Sequence, residues 1–162
     1  MTQIQPSLFV PHGAPTFALN PGAAGAALVN MAGALPLPRA IVIVSAHWDT
    51  AVPTVGFAER PETIHDFWGF PDELYDIRYP ATGCREASEE VVAALKAAGL
   101  PVATDAGRGL DHGAWIPLRL MFPDADDERQ REILFLRETS DLIATWEGKK
   151  LTRESARELT GI

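Results

Sequence analysis

Apolar residues recur at helical spacing in several segments of the chain. Residues 22–35 are rich in Ala and Leu at helical spacing and predict a helix. Residues 84–99 predict a second helix, with acidic residues in its first turns and Gly99 at its C-cap. Residues 113–122 predict the start of a third helix.

Short apolar runs between these segments predict strands. Residues 40–44 (AIVIV) have the pattern of a strand covered on both faces in a parallel sheet. Residues 7–10 predict a buried strand that leads into a loop, because Pro11 pushes the preceding residue toward extended geometry. Further short strands are predicted at residues 52–57, 76–79, 102–104 and 133–136.

Strands and helices therefore alternate along much of the chain. This order is typical of an α/β fold with a mostly parallel or mixed central sheet and helices on both faces. Charged residues become dense near the C-terminal end. We therefore expect one α/β domain over residues 1–126 and a charged, divergent tail over residues 127–162 that packs on it.

Composition narrows the classes of protein that the chain can represent. A chain of 162 residues fits one domain, which at this size buries roughly 70% of its unfolded surface. A net charge of -8 argues against nucleic acid as a partner. The single cysteine, Cys84, suits a reducing compartment. With neither a leader pattern nor an apolar run near the ~20 residues of a membrane span, a cytoplasmic location without membrane contact is expected.

The four histidines, at positions 12, 47, 65 and 112, all fall in predicted loops. His12 follows the first predicted strand and His47 follows the AIVIV strand. If these strands are parallel neighbours, a right-handed crossover brings their carboxyl ends to one sheet edge, ~4.8 Å apart. Neutral imidazole is the commonest metal ligand, so the spacing predicts a shared metal site. The alternative is that each histidine only hydrogen-bonds a turn.

Four ordered segments carry a resemblance to a known family. They are PSLFVPHGAPTFAL, AIVIVSAHWDT, TIHDFWGFPDELYDIRYPATG and GLDHGAWIPLRLMFPDAD. Together they resemble the class III extradiol ring-cleavage dioxygenases and, more narrowly, the DOPA 4,5-dioxygenase-like branch. The resemblance covers residues 6–126 and implies the opening of a catechol ring, such as that of DOPA, with O2.

The resemblance also implies roles for particular residues. His12 and His47 are implied to bind one divalent metal, Zn(II) or Fe(II). His65 with its aromatic neighbours Phe67 and Trp68 is implied to border the substrate pocket. His112 is implied to lie there too, and we predict that it is the acid–base residue, because imidazole exchanges protons near neutral pH.

Each of these residues also has a simpler interpretation. His65 could be a loop histidine stacked among core aromatics, and His112 could only begin a helix. Asp111 is a candidate to orient His112, and Asp49 is either an acceptor for an imidazole N–H or a surface residue. Arg108 either meets a substrate carboxylate or is exposed without a function.

The single cysteine is interpreted as structural. Cys84 stands at the start of the second predicted helix, and nothing beside it in the sequence clearly supplies a base. A nucleophilic role for its thiol is therefore not expected.

The tail departs from the family pattern. The resemblance places further metal-site histidines in a C-terminal half, and here no histidine follows His112. Candidates for a third ligand are His112, His65, Glu132 and Glu138.

Three functions follow from this departure. The leading hypothesis is a catechol dioxygenase that is impaired by truncation of the family fold. The alternatives are a non-catalytic member that binds metal or a partner, and a zinc hydrolase. A homo-oligomer is also expected, because a shortened sheet would leave an edge exposed.

Overall fold

The structure is a computed structural model that describes residues 6–124 and the backbone of residues 133–137. A short 3₁₀ helix (Pro15–Ala18) comes first. The elements that follow are α1 (Gly22–Ala34), β1 (Ile41–Ser45), β2 (Thr54–Gly56), α2 (Glu73–Asp76), α3 (Arg85–Ala97), β3 (Ala103–Asp105), α4 (His112–Met121) and β4 (Ile133–Arg137).

The strands form one mixed sheet in the order β1-β4-β2-β3. β4 runs parallel to β1, with Ile133 opposite Ile41, and it meets β2 in antiparallel orientation where Leu136 faces Val55. β2 and β3 are parallel. The predicted α/β fold is confirmed, and the strand predicted at residues 133–136 lies inside the sheet.

The predicted helices are confirmed with small shifts at their ends. The second one starts after Cys84, whose Sγ accepts a hydrogen bond from the backbone N–H of Ala87 at 3.2 Å. This thiol is 2% exposed, so Cys84 is a structural helix cap, as predicted. The third predicted helix begins one residue early, at His112.

The prediction of a buried strand at residues 7–10 is wrong. The segment has no strand structure, and Phe9 is fully exposed. Pro6 and Pro11 enclose it, and neither can donate a backbone hydrogen bond to a sheet. Gly13, with a φ of 65° in the left-handed region, then turns the chain into the 3₁₀ helix.

Two further strand predictions need correction. In the described part of the chain β1 is not covered on both faces, because Val42 and Val44 are each 49% exposed while Ile41 and Ile43 pack on the core. Residues 76–79 are not a strand. The backbone N–H of Tyr79 donates to the Thr63 hydroxyl at 2.8 Å instead of to a neighbouring strand.

Helix α4 lies at the centre of the larger core cluster. It packs against α1 and β1, and Trp115 and Ile116 are completely buried. Leu74, Tyr79 and Leu110 complete the surroundings of the helix. Because α4 is enclosed along its length, its first residue is held in a defined place.

A smaller cluster joins α3 to the sheet. Val55 of β2 is fully buried against Ala87 and Leu95 of α3. No helix within residues 6–124 is long and apolar enough to span a membrane. The final helical turn predicted near Thr152 lies outside the described residues, and the division at residue 126 remains a prediction.

The core arrangement predicts a stability effect at Leu74, whose side chain is completely buried. Replacing Leu74 with Ala removes buried methyl groups and leaves a cavity, so we expect the free energy of unfolding to fall by about 2 to 5 kcal/mol. Chemical denaturation measures this. Leu37→Ala is the control, because Leu37 is 56% exposed and should lose no more than about 0.5 kcal/mol. Equal losses in both variants would contradict this description of the core.

Candidate metal centre

Three of the four histidines converge on one point. One ring nitrogen each from His12, His47 and His112 lies within 4.8 Å of the other two. The Nε2 atoms of His12 and His47 are 2.9 Å apart. The ring centroids of His47 and His112 are 4.1 Å apart. Residues distant in the sequence therefore form one imidazole cluster.

Each histidine reaches the cluster from a different element. His12 lies in the loop before the 3₁₀ helix, His47 lies in the turn after β1, and His112 is the first residue of α4. His12 and His47 come together as predicted, although the strand expected before His12 is missing. The cluster also contains His112, which the predicted strand positions did not place beside the other two.

A carboxylate from a fourth segment holds His112. Asp66 Oδ1 accepts one hydrogen bond from the His112 backbone N–H at 3.0 Å and another from its ring Nδ1 at 2.9 Å. Asp66 Oδ2 lies 4.0 Å from Nδ1 of His47. A carboxylate near the N-terminus of α4 is also favoured by the helix dipole. Asp66 therefore touches one imidazole directly and lies near a second.

A buried polar network supports the same corner of the fold. Asp111 is completely buried, and its carboxylate accepts from the Ser45 hydroxyl at 2.6 Å and from Arg108 Nη2 at 3.1 Å. The Ser45 hydroxyl in turn accepts from the backbone N–H of His47 at 3.2 Å. This network connects the end of β1 to the start of α4.

Gly113 allows these two elements to approach closely. A Cβ atom at this position would lie 2.6 Å from the Ser45 hydroxyl oxygen and 2.7 Å from Cδ2 of His47. Both distances are shorter than any normal carbon contact. The absence of a side chain at Gly113 is therefore what allows His47 to lie beside His112.

The electrostatics of the cluster favour the neutral form of His12 and the ionised form of Asp66. Burial lowers the pKa of His12 below its ordinary value, and charge repulsion from His47 and His112 lowers it further. Burial alone would raise the pKa of Asp66, but hydrogen bonds from the backbone and ring of His112 outweigh it, so this pKa is lowered. Asp66 is thus an ionised acceptor, and His12 is favoured in its neutral form.

These residues fit a divalent metal. Two ligands bonded at 2.0–2.1 Å to a tetrahedral zinc ion are roughly 3.3 Å apart, close to the 2.9 Å between the Nε2 atoms of His12 and His47. Metal binding needs neutral imidazole, which the lowered pKa of His12 favours. The His47 side chain is 33% exposed, so ligands from solvent can reach the cluster.

The predicted substrate-binding residues occupy three different environments. His65 is outside the cluster, and its Nε2 donates to the Ile77 carbonyl at 3.1 Å. Phe67 is buried, with its ring centroid 5.8 Å from that of His112. Trp68 is 86% exposed. Phe67 is therefore the one of these three that contacts the cluster.

The candidates for a third ligand separate in the same way. His112 joins His12 and His47, whereas His65 is bonded to the main chain. Glu132 and Glu138 lie outside the described residues.

The polar neighbours of the histidines differ in part from the predictions. The suggestion that Asp111 orients His112 is wrong, because its carboxylate binds Ser45 and Arg108. Asp49 is exposed, and the carboxylate bonded to His112 is Asp66, which sequence reasoning missed. Its position directly after His65 in the HDFWGFP segment was the available signal.

Arg108 does not extend freely into solvent. Its side chain is 22% exposed and pairs with Asp111, and its guanidinium carbon lies 5.3 Å from the centre of the Trp48 ring. The interpretation of Arg108 as an exposed residue is therefore wrong, and its contact with a substrate carboxylate stays a prediction. It stabilises the buried network beneath the histidines.

Comparison with known proteins places the chain in a family. The family described as the catalytic LigB subunit of aromatic ring-opening dioxygenase matches residues 26–138. The chain belongs to this family, and the resemblance to the class III extradiol dioxygenases is confirmed.

Individual relatives agree with this assignment. The chain is 44% identical over 122 residues to a 4,5-DOPA dioxygenase extradiol of Escherichia coli, covering 75% of this chain and 44% of the relative. It is 39% identical over 127 residues to one of Beta vulgaris, covering 76% and 47%. It is 51% identical over 89 residues to one of Mirabilis jalapa, covering 55% and 33%. The chain thus spans less than half the length of these relatives.

A solved structure shares the fold. The crystal structure of an uncharacterized protein from Escherichia coli K12 superposes with a TM-score of 0.54 at 33% sequence identity. The match covers 71% of this chain and 40% of the other. The α/β fold of this chain is therefore shared with a solved protein.

The contact at Gly113 predicts a specific loss of metal binding. A methyl group in Gly113→Ala must displace Ser45 or His47, so we expect about 1 to 3 kcal/mol of destabilisation and weaker Zn(II) binding by about tenfold or more. Denaturation and zinc titration measure the two effects. Gly33→Ala is a matched control, because Gly33 also lies in a helix but has open space around it. Unchanged zinc affinity in Gly113→Ala would show that the contact does not control the cluster.

Proposed function

We propose that this chain carries the metal- and ring-binding part of an extradiol dioxygenase that opens a catechol, such as DOPA, with O2. The observation that carries the proposal is the convergence of three imidazoles within 4.8 Å. Family membership and the names of the relatives support the reaction class. In this reaction the ring carbon–carbon bond beside the diol breaks, and both atoms of O2 enter the product.

His12 and His47 are the proposed ligands of the metal. Their Nε2 atoms lie 2.9 Å apart, and a cation between them would replace the hydrogen bond that they otherwise share. Fe(II) suits the proposal better than Zn(II), because a bound iron with open positions supplies the redox chemistry that O2 activation requires. The cofactor is therefore one divalent metal, with iron as the active form.

His112 is the proposed acid–base residue. Its ring lies beside both proposed ligands, at centroid distances of 4.1 Å from His47 and 5.2 Å from His12. A catechol hydroxyl that approaches the metal must lose a proton, and a neutral imidazole at this distance can accept it.

The aromatic loop that starts at Asp66 supplies an apolar wall. Phe67 contacts the edge of the His112 ring and packs against Phe70 and Tyr75. A flat aromatic ring bound at the cluster can pack on this wall. His65 packs against Phe67 at a centroid distance of 5.6 Å, and the exposed Trp68 is the third proposed contact of the substrate ring.

A metal-activated hydrolase is the weaker explanation of the same residues. His112 could serve a hydrolase as general base as well as it serves a dioxygenase. The dioxygenase is favoured because the matching family and the relatives are named for ring-opening dioxygenases. The proposed substrates are accordingly a small aromatic diol and O2. The proposal includes a cytoplasmic location and a homo-oligomeric state.

The division of labour among the histidines is directly testable. We expect the intact chain to bind about one metal ion, and His12→Ala and His47→Ala each to lose most of it. His112→Ala should keep the metal but lose ring cleavage by about 100-fold or more, because it removes a proton acceptor. Metal analysis and yellow-product formation from DOPA, after anaerobic Fe(II) loading and addition of O2, measure both effects.

His65→Ala is the control for metal content, since His65 is bonded to the Ile77 carbonyl outside the cluster. Loss of metal in His112→Ala would make His112 a third ligand instead of a base. Full metal content in both His12→Ala and His47→Ala would contradict the shared site. Metal binding without any ring cleavage by the intact chain would identify a non-catalytic member of the family.

A further inference from the structure

Asp66 lies between two of the three clustered histidines. Its Oδ1 accepts both the backbone N–H and the ring Nδ1–H of His112, and its Oδ2 is 4.0 Å from Nδ1 of His47. Its side chain is 24% exposed, so the carboxylate is partly shielded from water. One residue thus faces the Nδ1 sides of two imidazoles.

The hydrogen bond to His112 determines where the ring proton lies. An ionised carboxylate can only accept hydrogen bonds, so Nδ1 of His112 must carry the proton at this 2.9 Å contact. In the neutral ring the lone pair is then on Nε2. Asp66 therefore leaves Nε2 available as a metal ligand or a proton acceptor.

The same charge acts on His47 at longer range. A separation of 4.0 Å is too long for a direct hydrogen bond, but it places the carboxylate charge on the Nδ1 side of the His47 ring. A proton on Nδ1 of His47 is thereby favoured, which leaves Nε2 as an acceptor. In that tautomer Nε2 of His47 would accept the Nε2–H of His12, which lies 2.9 Å away.

We propose that Asp66 is a positioning residue for both His112 and His47, and that it holds each ring in the Nδ1–H tautomer with a bare Nε2. The consequence for metal binding rests on the proposed function, whereas the tautomers themselves do not. Carboxylates that fix ligand histidines in this way raise metal affinity by about 10- to 100-fold.

Two substitutions separate the two oxygens of Asp66. Asp66→Ala removes both acceptors, so we expect a mixture of tautomers at His112 and His47 and a 10- to 100-fold weaker affinity for Zn(II). Asp66→Asn keeps an oxygen for His112 and places an NH2 donor near Nδ1 of His47. It should therefore preserve the His112 tautomer and shift His47 toward Nε2–H.

The tautomers are read from long-range ¹H–¹⁵N correlation spectra of the histidine rings in the metal-free protein at about pH 8, where unperturbed histidine is neutral. Zinc titration gives the affinity, and thermal unfolding checks the fold. Asp72→Asn is the control, because Asp72 is an exposed acid at the end of the same loop, where it is the N-cap residue of α2. It should change neither the spectra nor the affinity.

Asp66→Ala also removes the acceptor for the first N–H of α4. If that variant does not fold, the tautomer of His47 in Asp66→Asn decides the proposal. Unchanged tautomers and zinc affinity in folded Asp66 variants would overturn it, even if the wild-type chain binds metal and opens catechols. The stated tautomers in a wild-type chain that binds no metal would support the role of Asp66 and reject the proposed function.

Discussion

The close approach of helix α4 to the end of strand β1 is the constraint on which the site depends. At Gly113 there is no room for a side chain, because a Cβ atom would lie 2.6 Å from the Ser45 hydroxyl and 2.7 Å from the His47 ring. The contact forces residue 47 and the first residue of α4 together. Asp111 fastens it by accepting a hydrogen bond from Ser45 across the gap. The imidazole cluster lies on the outer side of this contact between α4 and β1.

Two carboxylates, Asp111 and Asp66, have different roles beside the cluster. Asp111 lies beneath it and binds Ser45 and Arg108, so it maintains the geometry of the backbone. Asp66 lies beside it and bonds to His112, so it acts on the imidazole itself. Both carboxylates accept hydrogen bonds from neighbouring side-chain or backbone groups, which stabilises them in these positions. Together they hold imidazoles close to one another although each would repel the others if charged.

The sequence predicted both the class of fold and the pairing of His12 with His47. The reasoning for the fold was sound, whereas part of the reasoning for the pairing was not. The helices followed from apolar spacing and were located within one or two residues. The pairing was correct, but its argument used a strand at residues 7–10 that does not form. Residues in loops before and after the sheet can meet by tertiary packing, which local patterns do not encode. The four ordered segments that resemble the dioxygenase family were therefore a better basis for predicting this pairing than the predicted strand was.

Asp66 and the true partner of Asp111 could not be found from spacing alone. Asp66 reaches His112 across 46 positions, and Ser45 reaches Asp111 across 66. Such contacts depend on how an irregular aromatic loop folds over a helix end. Local reasoning placed the orienting acid next to each histidine, at Asp49 and Asp111, because neighbours in sequence are the only neighbours that it can see. The buried glycine contact was equally invisible, since Gly113 resembles an ordinary residue at a helix start.

The most consequential proposal is that His12 and His47 hold a metal ion with His112 beside it. The most direct measurement is anomalous diffraction from crystals of the intact chain grown with Zn(II) or, anaerobically, with Fe(II). We expect one strong anomalous peak at about 2.0 to 2.2 Å from a ring nitrogen of His12 and from one of His47. The ring of His112 should lie beside that peak. A cluster without a peak, or a fully occupied peak elsewhere on the chain, would contradict it.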